Sequence, residues 1–141
     1  MNSQESTLEC SAGEDVCRIL LVEDNPDAAA FLVLALADQG HEIEHVRNGT
    51  EALVVAAVYR PHIVLLDILL PGLDGHYVTR QLRQTHAELF IIATTGLSQS
   101  DDFARSKAAG CDIHLVKPLD LERVVELVER WKARGGCKAK A

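Results

Sequence analysis

Several things are missing from this chain, and each absence narrows what it does. No uncharged apolar run exceeds ten residues, Ala28 to Ala37, against about 20 needed to cross a bilayer, so no transmembrane helix is expected. The start of the chain lacks both the basic residues and the apolar stretch of a secretory signal; residues 1–15 carry Glu5, Glu9, Glu14 and Asp15 and no Lys or Arg. Cys10, Cys17, Cys111 and Cys137 include no CxxC pair and no metal-ligand spacing. That arithmetic predicts four free thiols in a reducing cytoplasm. Cations are also scarce: 14 Lys and Arg against 21 Asp and Glu give a net charge of −7. Nonspecific binding to a phosphate backbone needs the opposite balance. Repeats and low-complexity tracts are absent.

What remains is ordinary globular material, 48% hydrophobic and 25% charged over 141 residues. At about 150 residues per domain, that length implies one domain with a core of useful size. The late cations Arg130, Lys132, Arg134, Lys138 and Lys140 are expected to meet a helix C-terminus and solvent.

Periodicity divides the chain into alternating strands and helices. Short apolar runs at 18–22, 42–46, 63–67, 90–94 and 113–116 read as strands. Asn25-Pro26-Asp27 starts a helix that runs to about Gln39 and ends at Gly40. Further helices are predicted from Asn48-Gly49 to Tyr59, 75–85, 101–109 and from Asp120 to about Arg134, where Gly135-Gly136 stops the last. Three strands lack polar alternation, as expected when helices cover both faces of a parallel sheet. Right-handed crossovers then make an open doubly wound sheet the economical fold. The strand order 2-1-3-4-5 is one common solution that pattern alone does not select.

In such sheets, ligands bind beyond the carboxyl ends of the strands. Glu23 and Asp24 follow the first strand, Asp67 ends the third, Thr94 and Thr95 end the fourth, and Lys117 follows the fifth. Three carboxylates, a hydroxyl and an ammonium thus meet on one rim. Crowded like charges need a counter-charge, and a hard divalent cation such as Mg²⁺ suits oxygen ligands. Taken singly, each of these residues is also an ordinary loop, strand-end or turn residue.

Leu21-Val22-Glu23-Asp24-Asn25, Leu65-Leu66-Asp67-Ile68-Leu69-Leu70-Pro71-Gly72-Leu73-Asp74-Gly75, Ile91-Ile92-Ala93-Thr94-Thr95-Gly96 and Val116-Lys117-Pro118 resemble the receiver domain of two-component response regulators. Gly40-His41-Glu42-Ile43 and Asn48-Gly49-Thr50-Glu51-Ala52-Leu53 are similar too. The likeness covers residues 17 to 134 in family order and spacing. The fold expected is therefore α/β, flavodoxin-like, with five parallel strands in the order 2-1-3-4-5 and five helices. Residues 1–16 read as an acidic, flexible extension, 17–134 as the domain and 135–141 as a short basic tail. The tail is too short for a DNA-binding output domain.

This resemblance implies a single-domain response regulator, a switch that catalyses only its own phosphorylation and dephosphorylation. Asp67 is the implied acceptor of a phosphoryl group from phosphohistidine. Glu23, Asp24, Asp67 and the backbone carbonyl of Leu69 would hold Mg²⁺, Lys117 would pair with the phosphoryl group, and Thr95 would supply the switch hydroxyl. Lys117-Pro118 matches the family's cis peptide. His114 stands where Tyr or Phe is common, and reads as either the rotameric switch residue, sensitive to pH near neutrality, or a plain strand histidine. Leu69, Gly96 and Leu97 occupy positions that tune dephosphorylation. Gly96 predicts a sterically open site, and the two leucines cannot orient an attacking water, which implies slow autodephosphorylation.

The first helix is apolar nearly all round, with Ala29, Leu32, Val33 and Leu36 facing the sheet, Phe31 flanking and Leu34 pointing away. In receivers this helix docks the donor's helical hairpin; a dimer contact or scattered exposed residues are the other readings. Trp131 reads as packing or interface. Implied partners are a sensor histidine kinase or histidine phosphotransfer protein and an unspecified target protein, without nucleic acid or membrane, and a homodimer stays open. Two other functions compete: a phosphate-independent scaffold, and a Mg²⁺ phosphohydrolase, which commonly wants a second Asp where Leu69 stands.

Overall fold

The structure, a computed structural model, describes residues 16–70, 72–96 and 100–137. Its strands are β1 (Arg18–Val22), β2 (Glu42–Val46), β3 (Ile63–Asp67), β4 (Phe90–Thr95) and β5 (Ile113–Val116). Its helices are α1 (Pro26–Asp38), α2 (Gly49–Tyr59), α3 (Gly75–Thr85), α4 (Ser100–Ala109) and α5 (Leu121–Ala133). All four pairings are parallel, and the order across the sheet is β2-β1-β3-β4-β5. This is the doubly wound 2-1-3-4-5 arrangement expected.

The strand sequences explain the layers. Every residue of β3 and β4 is buried, because helices cover both faces of the sheet. On one face Ile19, Leu21, Ile63, Leu65 and Ile92 pack against Leu32 and Leu36 of α1 and Val124 and Val128 of α5. On the other, Leu20, Val22, Val64, Leu66 and Ile91 meet Ala52 and Ala56 of α2 and Val78 and Leu82 of α3. Fully burying such a Leu or Ile contributes about 1.5–3 kcal/mol. α1 presents Ala29, Leu32 and Leu36 inward as expected, while Phe31 and Leu34 stand 64% and 68% exposed.

Capping fixes the helix starts. The Asn25 side chain accepts from the N–H groups of Asp27 and Ala28, that of Asn48 from Glu51, that of Asp74 from His76 and that of Asp120 from Glu122. At the other end of α2 the stop is Arg60, held left-handed at φ +55°, and not Pro61 alone. Proline bars its predecessor from the helical region, so the chain turns one residue early.

One expectation fails outright. Cys17 and Cys137 are joined in a disulfide across 120 residues of sequence, and Cys111 is free. Cys10 and the basic residues Lys138 and Lys140 lie outside the described residues, as do residues 1–15. Ligand-spacing rules see only neighbours along the chain. Here α5 packs in the same core cluster as Ile19 and Leu21 of β1, and the turn after it brings Cys137 to Cys17. Among the described residues, no helix is long and apolar enough to cross a membrane.

Candidate functional site

The carboxyl ends of β1, β3, β4 and β5 form one rim. Glu23 continues the β1 ladder by donating its N–H to the Val46 carbonyl at 3.1 Å. Its side chain is turned inward, where Oε2 accepts the Asn25 N–H at 3.1 Å. Asp67, the last residue of β3, lies opposite Thr94 across the sheet, and its Oδ1 accepts the Leu69 N–H at 3.0 Å. Both acids are nearly buried, 2% and 6% exposed, whereas Asp24 faces solvent.

Lys117 bridges the two buried acids. Its Nζ donates to Glu23 Oε1 at 2.8 Å and to Asp67 Oδ2 at 2.9 Å. The Lys117 N–H binds the Thr95 carbonyl at 2.7 Å, and the Lys117–Pro118 peptide is cis, as the resemblance implied. Burial pulls the ammonium pKa down, but hydrogen bonds and charge from Glu23 and Asp67 outweigh it and hold the value above the ordinary lysine range. Lys117 is therefore charged at neutral pH.

Glu23, Asp24 and Asp67 each offer one carboxylate oxygen, all within 4.8 Å of one another. Hard, anionic oxygens in such a cluster fit a divalent cation of the Mg²⁺ type. Among the described residues, Lys117 is the cation ion-paired within this cluster, and it engages Glu23 and Asp67.

The remaining predicted residues are distributed around this cluster. Thr95 is buried at the end of β4. Gly96 is exposed, and a β-carbon built on it would meet nothing within 4 Å, so the space beside it is open. Leu69 projects from the β3–α3 loop with 55% exposure. Leu97 lies outside the described residues. His114 sits one strand away on β5, its ring meeting Phe103 of α4 edge-on at 4.4 Å. Trp131 is remote from the rim and stacks on Phe90.

Two positioning contacts were not read from the sequence. His45 Nε2 lies 2.8 Å from the Glu23 carbonyl oxygen and braces the turn after β1. Its place near the end of an edge strand was the one hint of this. Gly75 approaches the backbone of Ile68 so closely that a β-carbon would lie 2.5 Å from it. This packs the start of α3 directly behind Asp67.

A doubly wound sheet with three acids and a lysine at its carboxyl rim defines a class of site suited to a divalent cation and a phosphoryl group. The family model for the response regulator receiver domain matches residues 19–129, and the chain belongs to that family. It is 35% identical over 116 residues to Protein PilH of Pseudomonas aeruginosa, covering 80% of this chain and 95% of that one. It is 38% identical over 116 residues to Response regulator MprA of a Mycobacterium species (strain KMS), across 82% of this chain. The match spans about half of MprA, 49% of its length. Among solved structures, the CheY-like receiver domain protein of Methanospirillum hungatei superposes with a TM-score of 0.80. That pairing covers 84% of this chain and 95% of that one at 23% identity, a likeness of fold.

Proposed function

We propose that this chain is a phosphoryl-accepting switch: Asp67 takes a phosphoryl group from a phosphohistidine donor, and the change is read by altered protein contacts. The observation that carries this reading is the Lys117 ammonium held between Glu23 and Asp67 beside the exposed Asp24. In this reading a carboxylate oxygen of Asp67 attacks phosphorus in line, the P–N bond to the donor imidazole breaks, and the bond's electrons leave with that nitrogen.

Glu23, Asp24, Asp67 and the Leu69 carbonyl would hold Mg²⁺, which when bound screens carboxylate from phosphoryl charge and stabilises the equatorial oxygens. Lys117 is the group that follows the transferred charge. It already donates to Asp67 Oδ2, and transfers a hydrogen bond to a phosphoryl oxygen with little movement. The Leu69 N–H holds Asp67 Oδ1 and so limits rotation of the nucleophile. Thr95 is the switch hydroxyl, and His114, packed on Phe103, transmits its position to α4. Leu69, Gly96 and Leu97 set the lifetime: an open site with apolar flanks leaves the attacking water unoriented, so the phosphoryl group is long-lived.

The donor is a sensor histidine kinase or histidine phosphotransfer protein, docked on the exposed Phe31 and Leu34 of α1. The target is a protein, in the cytoplasm, with neither nucleic acid nor membrane engaged directly. The domain spans 17–134, with an acidic extension before it and a short basic tail whose first residues fold back. The chain turns over no external substrate.

Intact mass after acetyl phosphate treatment tests the reading. A single phosphoryl adduct is expected on the wild type with Mg²⁺, and none on Asp67→Asn or with EDTA present. A wild type that takes no adduct from acetyl phosphate or from a phosphorylated histidine donor overturns it and favours the phosphate-independent scaffold.

A further inference from the structure

The Cys17–Cys137 bond lies just before the amino end of β1, at the opposite end of the strand from Glu23 and the acidic rim. After α5 the chain makes a built turn. Gly135, at φ +83°, donates its N–H to the Lys132 carbonyl, and Gly136 donates to Trp131, both at 2.9 Å. A β-carbon on Gly136 would fall 2.3 Å from Trp131 Nε1, so only glycine lets the backbone cross the indole there. The turn delivers Cys137 to Cys17, with Cα atoms 4.8 Å apart and the two residues 1% and 0% exposed.

A second, polar brace joins the same elements. The Cys17 N–H donates to His41 Nδ1 at 3.3 Å, so the imidazole proton sits on Nε2 and donates to Glu129 Oε2 of α5 at 2.7 Å. This brace ties α5 to the sheet at Glu129, one turn before residues 134–137, without using the disulfide. Opening of the 134–137 turn relieves a buried donor, because Trp131 Nε1 has no hydrogen-bond partner under Gly136.

We propose that Cys17 and Cys137 form a reversible thiol–disulfide site: the oxidised form pins residues 134–137 across Trp131, and a dithiol reductant releases them. Neither residue is accessible in the closed form, so attack follows local opening of the turn. A thiolate of the dithiol attacks Sγ of Cys137, the bond to Cys17 breaks, and Cys17 leaves as thiolate and takes a proton. The second thiol then displaces Cys137 from the mixed disulfide. The reductant ends as its own disulfide, and the protein gains two electrons and two protons. Release uncovers the Trp131 indole and the end of α5.

The full-length chain with all four cysteines tests this in buffers of graded reduced-to-oxidised dithiothreitol ratio. Alkylation after denaturation is expected to add two fewer groups to oxidised than to reduced protein, missing from the peptides that hold Cys17 and Cys137. Trp131 is the only tryptophan, so its emission is expected to shift to the red on reduction. Trypsin cleavage after Arg134 is expected to quicken several-fold in step. A Cys10→Ser/Cys111→Ser variant keeps the whole response, and Cys17→Ser/Cys137→Ser stays in the released state whatever the ratio. Full alkylation of Cys17 and Cys137 at every ratio overturns the proposal. So does a bond that forms and breaks with emission and cleavage unchanged, which would make it a staple without a switch.

Discussion

The two ends of the sheet handle charge in opposite ways. At the amino end, cations meet backbone. The Arg18 guanidinium donates to the carbonyls of Tyr59 and Arg60, and Arg83 to those of Ala87, Leu89 and Gly110 and to the Asp112 carboxylate. The helix carbonyls among these carry partial negative charge with no partner inside the helix, and a guanidinium satisfies several at once. At the carboxyl end, anions meet one another. Glu23, Asp24 and Asp67 crowd together with Lys117 as the cation between two of them. Charge at the amino end is consumed by the fold. At the carboxyl end it exceeds what the fold needs, and in the proposed function that surplus is what a cation or a phosphoryl group would engage.

Removing the cation from the acidic end is expected to have the largest effect. Lys117→Ala leaves Glu23 and Asp67 buried without a counter-charge, and should lower stability by about 2–4 kcal/mol in metal-free buffer at neutral pH. Urea melts with and without Mg²⁺ check this, the ion narrowing the gap between variant and wild type. Because folding raises the Lys117 pKa, its contribution is fully present below the ordinary lysine value near ~10.4 and is lost as pH rises through the higher folded value. A variant as stable as wild type without metal would erase the contrast between the two ends.

At the amino end, Arg18→Ala removes donors from the last carbonyls of α2, with an expected loss of about 1–2 kcal/mol. The same melts should show no dependence on Mg²⁺. If the ion altered this variant's deficit, the two ends would not be independent. The smallest effect belongs to Gly96→Ala, within about 0.5 kcal/mol by urea midpoint, since a methyl there meets nothing within 4 Å. A larger loss would mean that the rim is less open than its geometry indicates.

Much of this was readable along the chain, for local reasons. Strand β3 declares itself because five successive buried residues, Ile63 to Asp67, need no polar alternation when both faces are covered. Asn25, Asn48 and Asp120 mark helix starts because a short polar side chain reaches the free N–H groups of the next turn, whereas the Asp74 cap of α3 emerged only in the structure. Residues at strand ends are placed on one rim by parallel topology alone, which is why Glu23, Asp67, Thr95 and Lys117 were assigned together. The contacts that were missed join residues far apart in sequence through side-chain direction: His45 to the Glu23 carbonyl, Gly75 to Ile68, His41 to Glu129. Arg60 was missed for another reason, since a left-handed arginine carries no composition signal.

The cysteines show the boundary most clearly. Residue types, their periods and their turn signals determined the alternation of strands and helices, and through it the sheet order's plausibility and the acidic rim. Those features follow from spacings of two to four residues, which any reader of the chain can count. Whether Cys17 met Cys137 depended on the path of α5 back along the sheet, on Gly135 turning left-handed and on Gly136 clearing the indole. Whether Lys117 reached both Glu23 and Asp67 depended likewise on four strands, β1, β3, β4 and β5, arriving in register. Such contacts are decided by packing, because a bond across 120 residues leaves no local pattern for selection of a conformation to act on.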